Sequence, residues 1–330
     1  MNQIKKENIV VSIFVITYNQ ENYIKETIFS ILNQILTYEF EIIILDDCST
    51  DNTSQLCLEI QRQYNKIKYI RNIHNLGLIR NYHTNIAKYA TGKYIAQCAG
   101  DDYWIDQYKL QKQVDFLELN PDYGLIHTSA KAFYTDRNKF LTFKKKDKTQ
   151  NLLDFFVSNK VFACTVCFKR DIYIKYLSDI NPIGNNWFCE DYPMWLYFAG
   201  KTRVKAISDV TAVYRVTNNS ISRSANLDKR LNNYLSRIDI INFFIKYFKV
   251  DKKVAEKSLY SAYYNCECLT IKTKNQLIKN KIIDFYKISG RTISTFRFKL
   301  YYKYNYIHNA SRIINRYYKR LLFIIKYPFI

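Results

Sequence analysis

Glycine and proline are scarce, with 7 Gly and 4 Pro in 330 residues. So few chain breakers exclude a low-complexity chain or one dominated by linkers. No apolar run reaches the ~18–20 residues that a membrane-spanning helix needs. The longest candidate, residues 321–330, is interrupted by Lys326 and Pro328. Residues 1–8 are polar and charged and lead into only a short apolar run, which is not the form of a signal peptide. Histidine is also rare: His74, His83, His127 and His308 show no ligand spacing and receive no role. The cysteines, Cys48, Cys57, Cys98, Cys164, Cys167, Cys189, Cys266 and Cys268, lack the paired spacing of a zinc ribbon. Several sit within apolar runs, which points to buried free thiols in a reducing compartment. Acidic residues are missing altogether after Asp284, where ten basic ones follow.

Positive charge, by contrast, is abundant. Lys and Arg number 50 against 29 Asp and Glu, a formal net charge of +21. Such a chain is drawn to polyanions: nucleic acid, anionic lipid or phosphorylated small molecules. Apolar residues make up 48%, enough for a sizeable core. The length suits one large domain, or one domain with an appendage.

The first hundred residues alternate between two patterns. Residues 9–16 (IVVSIFVI) and 40–45 (FEIIIL) are apolar, β-branched runs expected as buried strands, the first covered on both faces, and residues 67–71 and 94–98 are expected as a third, short strand and a fourth. Between them, residues 21–33, 51–64 and 78–90 carry apolar side chains at helical spacing, with Asp51 placed to cap the second helix. This order predicts an α/β fold, a mostly parallel sheet flanked by helices. Beyond it, residues 110–119 and 193–198 read as helices, and 124–128, 161–168 and 204–215 as strands. From about residue 227 the sequence looks helical.

In parallel sheets of this kind ligands bind outside the carboxyl ends of the strands. The segments there are Thr17-Tyr18-Asn19, Asp46-Asp47-Cys48-Ser49 and Gly100-Asp101-Asp102, two of them with paired carboxylates. Adjacent carboxylates in a glycine turn repel each other. A hard divalent cation would neutralise Asp101 and Asp102 and could bridge them to a diphosphate. The plainer alternative is a pair of solvated turn residues, one capping the next helix. Asp47 could accept hydrogen bonds from a base or a ribose hydroxyl, while Ser49 to Asp51 serve as caps. A second acidic pair, Glu190-Asp191, opens an aromatic helix.

Four segments in order, Val11-Ser12-Ile13-Phe14-Val15-Ile16-Thr17-Tyr18-Asn19, Leu45-Asp46-Asp47-Cys48-Ser49-Thr50-Asp51-Asn52-Thr53, Asn75-Leu76-Gly77-Leu78-Ile79-Arg80-Asn81 and Gly92-Lys93-Tyr94-Ile95-Ala96 running into Gly100-Asp101-Asp102-Tyr103-Trp104, resemble the family 2 glycosyltransferases of the GT-A fold, of bacterial surface-polysaccharide type. The resemblance is clear over roughly residues 9–125 and fainter to about 223. It implies a catalytic domain over 1–225, with a nucleotide-sugar-binding half at about 9–105 and an acceptor-binding half at about 106–225, then a helical, basic C-terminal region over 226–330. It implies that Thr17, Tyr18, Asn19 and Asp47 hold the nucleotide and that Arg80 lies by the diphosphate. Asp101 and Asp102 would bind Mg²⁺ or Mn²⁺, with Asp102 the direct ligand and Asp101 also against the sugar nucleotide. Asp191 would be the catalytic base, with Glu190 and Trp187 on the acceptor side. Trp187, Trp195 and the tyrosines around Tyr192 could stack on a sugar, or equally fill the core. The implied reaction moves a sugar from a nucleotide-sugar donor, a UDP-sugar, to a glycan or lipid-linked acceptor. One carboxylate base and no carboxylate nucleophile make inversion the simplest course.

Two positions depart from the family pattern. Ala99 stands where many relatives have an acidic residue, and Thr217 where they often have His. They leave open a catalytically inactive sugar-nucleotide-binding relative. The basic aromatic stretch 291–330 suits an interfacial helix on an anionic membrane, or a helix packed on the catalytic domain with solvated charges. The expected location is the cytoplasm, on the inner face of the cell membrane. A nucleic-acid-binding protein is the reading set aside: no binding motif is present, and carboxylates at strand ends repel phosphates.

Overall fold

The computed structural model describes residues 9–157, 161–185, 187–217 and 227–251, together with Val254 and Leu259. The chain divides into two units, Met1–Tyr264 and Asn265–Ile330, and every described residue lies in the first. The basic stretch 291–330 lies outside the described residues.

The first half follows the alternation of the sequence: β1 (Val11–Thr17), α1 (Ile24–Leu32), β2 (Phe40–Asp46), α2 (Thr53–Gln63), β3 (Ile67–Arg71), α3 (Leu78–Tyr89) and β4 (Tyr94–Ala99). Val11, Ile13, Phe14 and Val15 of β1 are all fully buried, so both faces of the strand are covered. Ser12 is buried in the same strand. Its hydroxyl donates to Glu41 Oε1 at 2.6 Å and accepts from the Gly92 N–H at 2.8 Å, so burial leaves it satisfied. Gly92 has no alternative residue: a Cβ there would lie 2.6 Å from the Ser12 nitrogen and 2.8 Å from the Val11 carbonyl carbon.

The second half adds β5 (Tyr103–Trp104), α4 (Lys109–Leu119), β6 (Tyr123–Tyr134), β7 (Lys139–Phe143), β8 (Lys148–Gln150), α5 (Leu152–Val157), β9 (Val166–Lys169), α6 (Arg170–Ile180), α7 (Asp191–Lys201), β10 (Arg203–Val216) and α8 (Leu227–Tyr247). The expected strand over 161–168 is corrected. Residues Ala163–Thr165 form a 3₁₀ turn and the strand begins only at Val166. The Thr165 hydroxyl donates to the Phe162 carbonyl at 2.6 Å, a local bond that competes with strand pairing. The second helix also starts at Thr53 with Asn52 at its cap, not at Asp51. Asp51 still serves that end, since its Oδ1 accepts the Thr53 N–H at 3.0 Å.

The sheet runs β3-β2-β1-β4-β9-β6-β10-β5, with β7 beside β6 and β8 beside β10. Strands β1 to β4 are mutually parallel. Because β9 is antiparallel to both β4 and β6, and β10 is parallel to β6, six strands point the same way. The fold is therefore the mixed α/β architecture expected, a mostly parallel sheet between helices. Thr17, Asp46, Ala99, Tyr134 and Val216 consequently end their strands at one edge of the sheet. Among the described residues no helix is long and apolar enough to cross a membrane.

Candidate active site at the strand ends

The loops after β1 and β2 are locked together. Thr17 pairs with Asp46 at the last register position, and the Asp47 N–H donates to the Thr17 carbonyl at 3.0 Å. Asn19 and Cys48 have positive φ, 53° and 67°, each turning its loop sharply. Asparagine tolerates that region; for cysteine it costs on the order of 1–2 kcal/mol, a strain typical of functional turns. Asn19 then bridges the loops: its N–H donates to Ser49 Oγ at 3.0 Å and its Oδ1 accepts the Thr50 N–H at 2.8 Å. Thr17 is buried and donates to Gln20 Oε1 at 2.8 Å, whereas Tyr18 is 46% exposed at the rim.

The two aspartates after β2 do different work. Asp46 is fully buried and accepts hydroxyl donors from Ser49, Ser54 and Tyr69, each at 2.6 Å. Asp47 accepts from Asn72 Nδ2 and the Leu76 N–H at 2.8 Å and from the Gly77 N–H at 2.9 Å. Its carboxylate therefore shapes the loop that leads into α3. Gly77, with φ 78°, caps that helix, and Arg80 in the first turn is exposed.

Asp101 and Asp102 follow β4 in a turn pinned from α1. The Thr27 hydroxyl lies 2.9 Å from the Gly100 carbonyl and 2.6 Å from that of Asp102. Asp102 is 2% exposed, and its Oδ1 accepts the Arg215 N–H at 2.8 Å. Burial pushes both carboxyls up, and for Asp102 the charge of Asp101 adds to the effect. The turn is a pair of desolvated carboxylates with too little positive charge around them. Oxygen donors in that state suit a hard divalent cation. Among the described residues no three His, Cys, Asp or Glu side chains form a metal-holding group. A cation here would complete its shell with water or with oxygens of a ligand.

Arg215 at the end of β10 was not expected as a site residue. Its Nη1 donates to the Asp101 carbonyl and its Nη2 to Glu26 Oε2 at 2.5 Å. The guanidinium carbon lies 4.7 Å from the Tyr23 ring centre and 4.8 Å from that of Tyr103, so the cation is held against two aromatic rings. It clamps α1, the 101–102 turn and β10 together. The signal available in the sequence was an arginine at the end of an apolar strand opposite an acidic turn. A second unexpected residue is Lys109, fully buried, whose Nζ donates to Gln113 Oε1 at 2.8 Å and sits 4.1 Å over the Trp104 ring. Burial lowers its pKa to about 8.

Glu190 and Asp191 stand at the start of α7, both partly exposed. Burial pushes both up, to about 8 for Glu190, where the neighbouring Asp191 charge contributes, and to about 6 for Asp191. Their charges raise the pKa of Cys189 beside them, of Tyr82 of α3, two residues beyond Arg80, and of Tyr176 of α6. Trp187, read from the sequence either as a sugar-stacking residue or as core, packs against α8. It is 7% exposed, and its ring packs 5.2 Å from Phe243 and 6.2 Å from Phe244 of α8. Trp195 is fully buried as well.

The family model described as "Glycosyl transferase family 2" matches residues 12–177. An uncharacterised protein of Mycobacterium tuberculosis is 30% identical over 223 residues, 66% of this chain; the chain spans 62% of the length of that relative. The Escherichia coli UDP-Glc:alpha-D-GlcNAc-diphosphoundecaprenol beta-1,3-glucosyltransferase WfgD is 30% identical over 227 residues, 66% of this chain and 81% of its own. Among solved structures, S. aureus TarS 1-349 in complex with UDP-GlcNAc superposes with a TM-score of 0.62 at 20% identity, covering 81% of this chain and 77% of that one. The mannosyltransferase PcManGT of Pyrobaculum calidifontis, in complex with GDP-Man and Mn2+, superposes with a TM-score of 0.54 at 14% identity, covering 87% and 81%. Both structures share the fold.

Proposed function

Since the chain belongs to glycosyl transferase family 2, we propose that it transfers a sugar from a nucleotide-sugar donor, a UDP-sugar, to a glycan or lipid-linked acceptor in cell-surface polysaccharide assembly. The observation that carries the proposal is the convergence of Thr17, Asn19, Asp47, Asp101 and Asp102 at the ends of adjacent parallel strands. The E. coli relative, whose name gives UDP-Glc as its donor and a diphosphoundecaprenol-linked sugar as its acceptor, supports the choice of both substrates.

In this reading residues of 1–225 bind the substrates. Tyr18, at the exposed rim, and Thr17, Asn19 and Asp47 receive the base and ribose, and Asp47 also shapes the loop that leads into α3. Arg80 faces the diphosphate from the open first turn of α3, where the helix dipole also favours negative charge. Asp101 and Asp102 hold Mg²⁺ or Mn²⁺; when bound, the ion neutralises charge on the departing nucleotide diphosphate. Asp191 accepts the proton of the acceptor hydroxyl, and burial brings its pKa close to the range best suited to that task. Glu190, whose carboxyl is pushed up by burial and by the Asp191 charge, stands beside it on the acceptor side. A single base acting on the attacking hydroxyl gives inversion at the anomeric carbon.

The test is a screen of UDP- and GDP-sugars with purified protein and Mn²⁺, reading released nucleotide in the presence of lipid-linked acceptors. Metal-dependent release from a UDP-sugar is the expected outcome. Binding of UDP without turnover of any donor would make the chain a sugar-nucleotide-binding relative, as Ala99 and Thr217 leave open.

A further inference from the structure

The strand β7 has all five residues exposed, three of them apolar: Phe140 at 48%, Leu141 at 42% and Phe143 at 39%. It pairs with the last five residues of β6, and Phe140 stacks on Phe133 at 4.5 Å between ring centres. Among the described residues no other strand pairs with β7. The segment between Asp136 and Lys148 holds six basic residues and two acidic ones. Arg137 is paired with Asp136, and Lys148 with Asp154, while Lys139, Lys144 and Lys146 are exposed around the apolar residues. Single exposed apolar residues are ordinary. Here one open strand places Phe140 on one face and Leu141 and Phe143 on the other, with Phe143 also 5.3 Å from Phe162 between ring centres, and exposed lysines flank both ends of the strand.

Its place in the sheet narrows the partner. Strand β6 ends at the edge where β1, β2, β4 and β10 also end, and Phe133, the residue under Phe140, is in register with Arg215. The hairpin therefore projects from the same end of the sheet as the Asp101–Asp102 turn. We propose that the β6–β7 hairpin docks edge-on against an anionic lipid surface, with Phe140 and Leu141, one from each face of the open strand, reaching the boundary between headgroups and acyl chains while Lys139, Lys144 and Lys146 meet lipid phosphates. Aromatic and aliphatic side chains flanked by basic ones are the chemistry that such an interface selects. Docking there would hold the strand-end site against the bilayer. The inference goes beyond the transferase proposal and is tested without sugar transfer, so the two can fail separately.

The full chain carries Phe140→Trp and is mixed with vesicles of phosphatidylcholine, with or without about a third phosphatidylglycerol, some with brominated acyl chains. Trp104, Trp187 and Trp195 are buried, so the added indole supplies the lipid-dependent signal. The expected result is a blue shift and quenching by brominated lipid, above that of the natural sequence and dependent on phosphatidylglycerol. Lys144→Gln with Lys146→Gln should weaken binding by about tenfold, with circular dichroism unchanged. An added indole that stays unquenched while the chain binds vesicles overturns the proposal and leaves binding to another segment. Binding to a soluble polyanion in place of vesicles overturns it too. So does a lipid-free dimer that Leu141→Ser dissociates, which would assign the strand to a second copy of the chain.

Discussion

At the scale of single residues, the account rests on carboxylates whose surroundings disfavour their charge. Asp191 is the clearest case. It must be ionised to accept a proton, and burial raises its pKa to about 6. Activity should therefore fall as pH drops through that region, well above the ~3.9 of an unperturbed aspartate. A pH profile of kcat/KM checks this; an acid limb near 4 would remove Asp191 from the role. Asp191→Asn should lower kcat by about 10²–10⁴-fold and leave donor affinity nearly unchanged, as measured by steady-state kinetics beside UDP calorimetry. Arg215 allows a different prediction. Arg215→Met frees Glu26, uncovers Tyr23 and Tyr103, and loosens the turn that carries Asp101. It should cost about 1–3 kcal/mol in urea denaturation and weaken Mn²⁺ binding, whereas Arg215→Lys should recover only part of either, lacking the planar fork.

Among the elements, Gly92 gives the sharpest test of packing. Gly92→Ala would press a Cβ against backbone atoms of β1 at 2.6 and 2.8 Å, and backbone cannot rotate away as a side chain can. A loss of about 1–3 kcal/mol is expected from thermal or urea unfolding. The same scale shows why the sequence was readable in part. Strands β1 to β4 and their helices lie within a few residues of their expected bounds, because the apolar runs of β1, β2 and β4 and the helical spacing between strands leave little ambiguity. Strand β3, with only Ile67 buried, is legible from its place in the alternation. The expected helix over 78–90 is Leu78–Tyr89. Later elements had weaker signals. Helix α6 buries only Tyr173, Tyr176 and Ile180, too sparse a stripe to stand out. Strand β7 is exposed throughout and shows no alternation. At the site, the acidic pairs after β2 and β4 were visible because strand ends are where parallel sheets bind ligands. The Arg215 clamp was not, since it joins residues 189 positions apart in sequence. For Trp187 the sequence offered both sugar stacking and core packing, and its contact with Phe243 of α8 is the observation that favours the core.

For the molecule as a whole, the order of strands places side chains from β1, β2, β4 and β10 along one edge. The net charge of +21 then has a meaning beyond composition. In the proposed function a basic chain favours the approach of a nucleotide diphosphate, and that attraction, like the proposed attraction of the β6–β7 hairpin to anionic lipid, should weaken with salt. The acidic turn within that basic field is the feature that calls for a cation. Calorimetric titration of UDP with and without Mn²⁺, on the natural sequence and on Asp101→Asn with Asp102→Asn, tests it most directly. The account predicts binding that requires Mn²⁺ and falls by about a hundredfold in the variant, with folding intact by circular dichroism. UDP binding that is equally tight without metal, or unchanged in the variant, would contradict it.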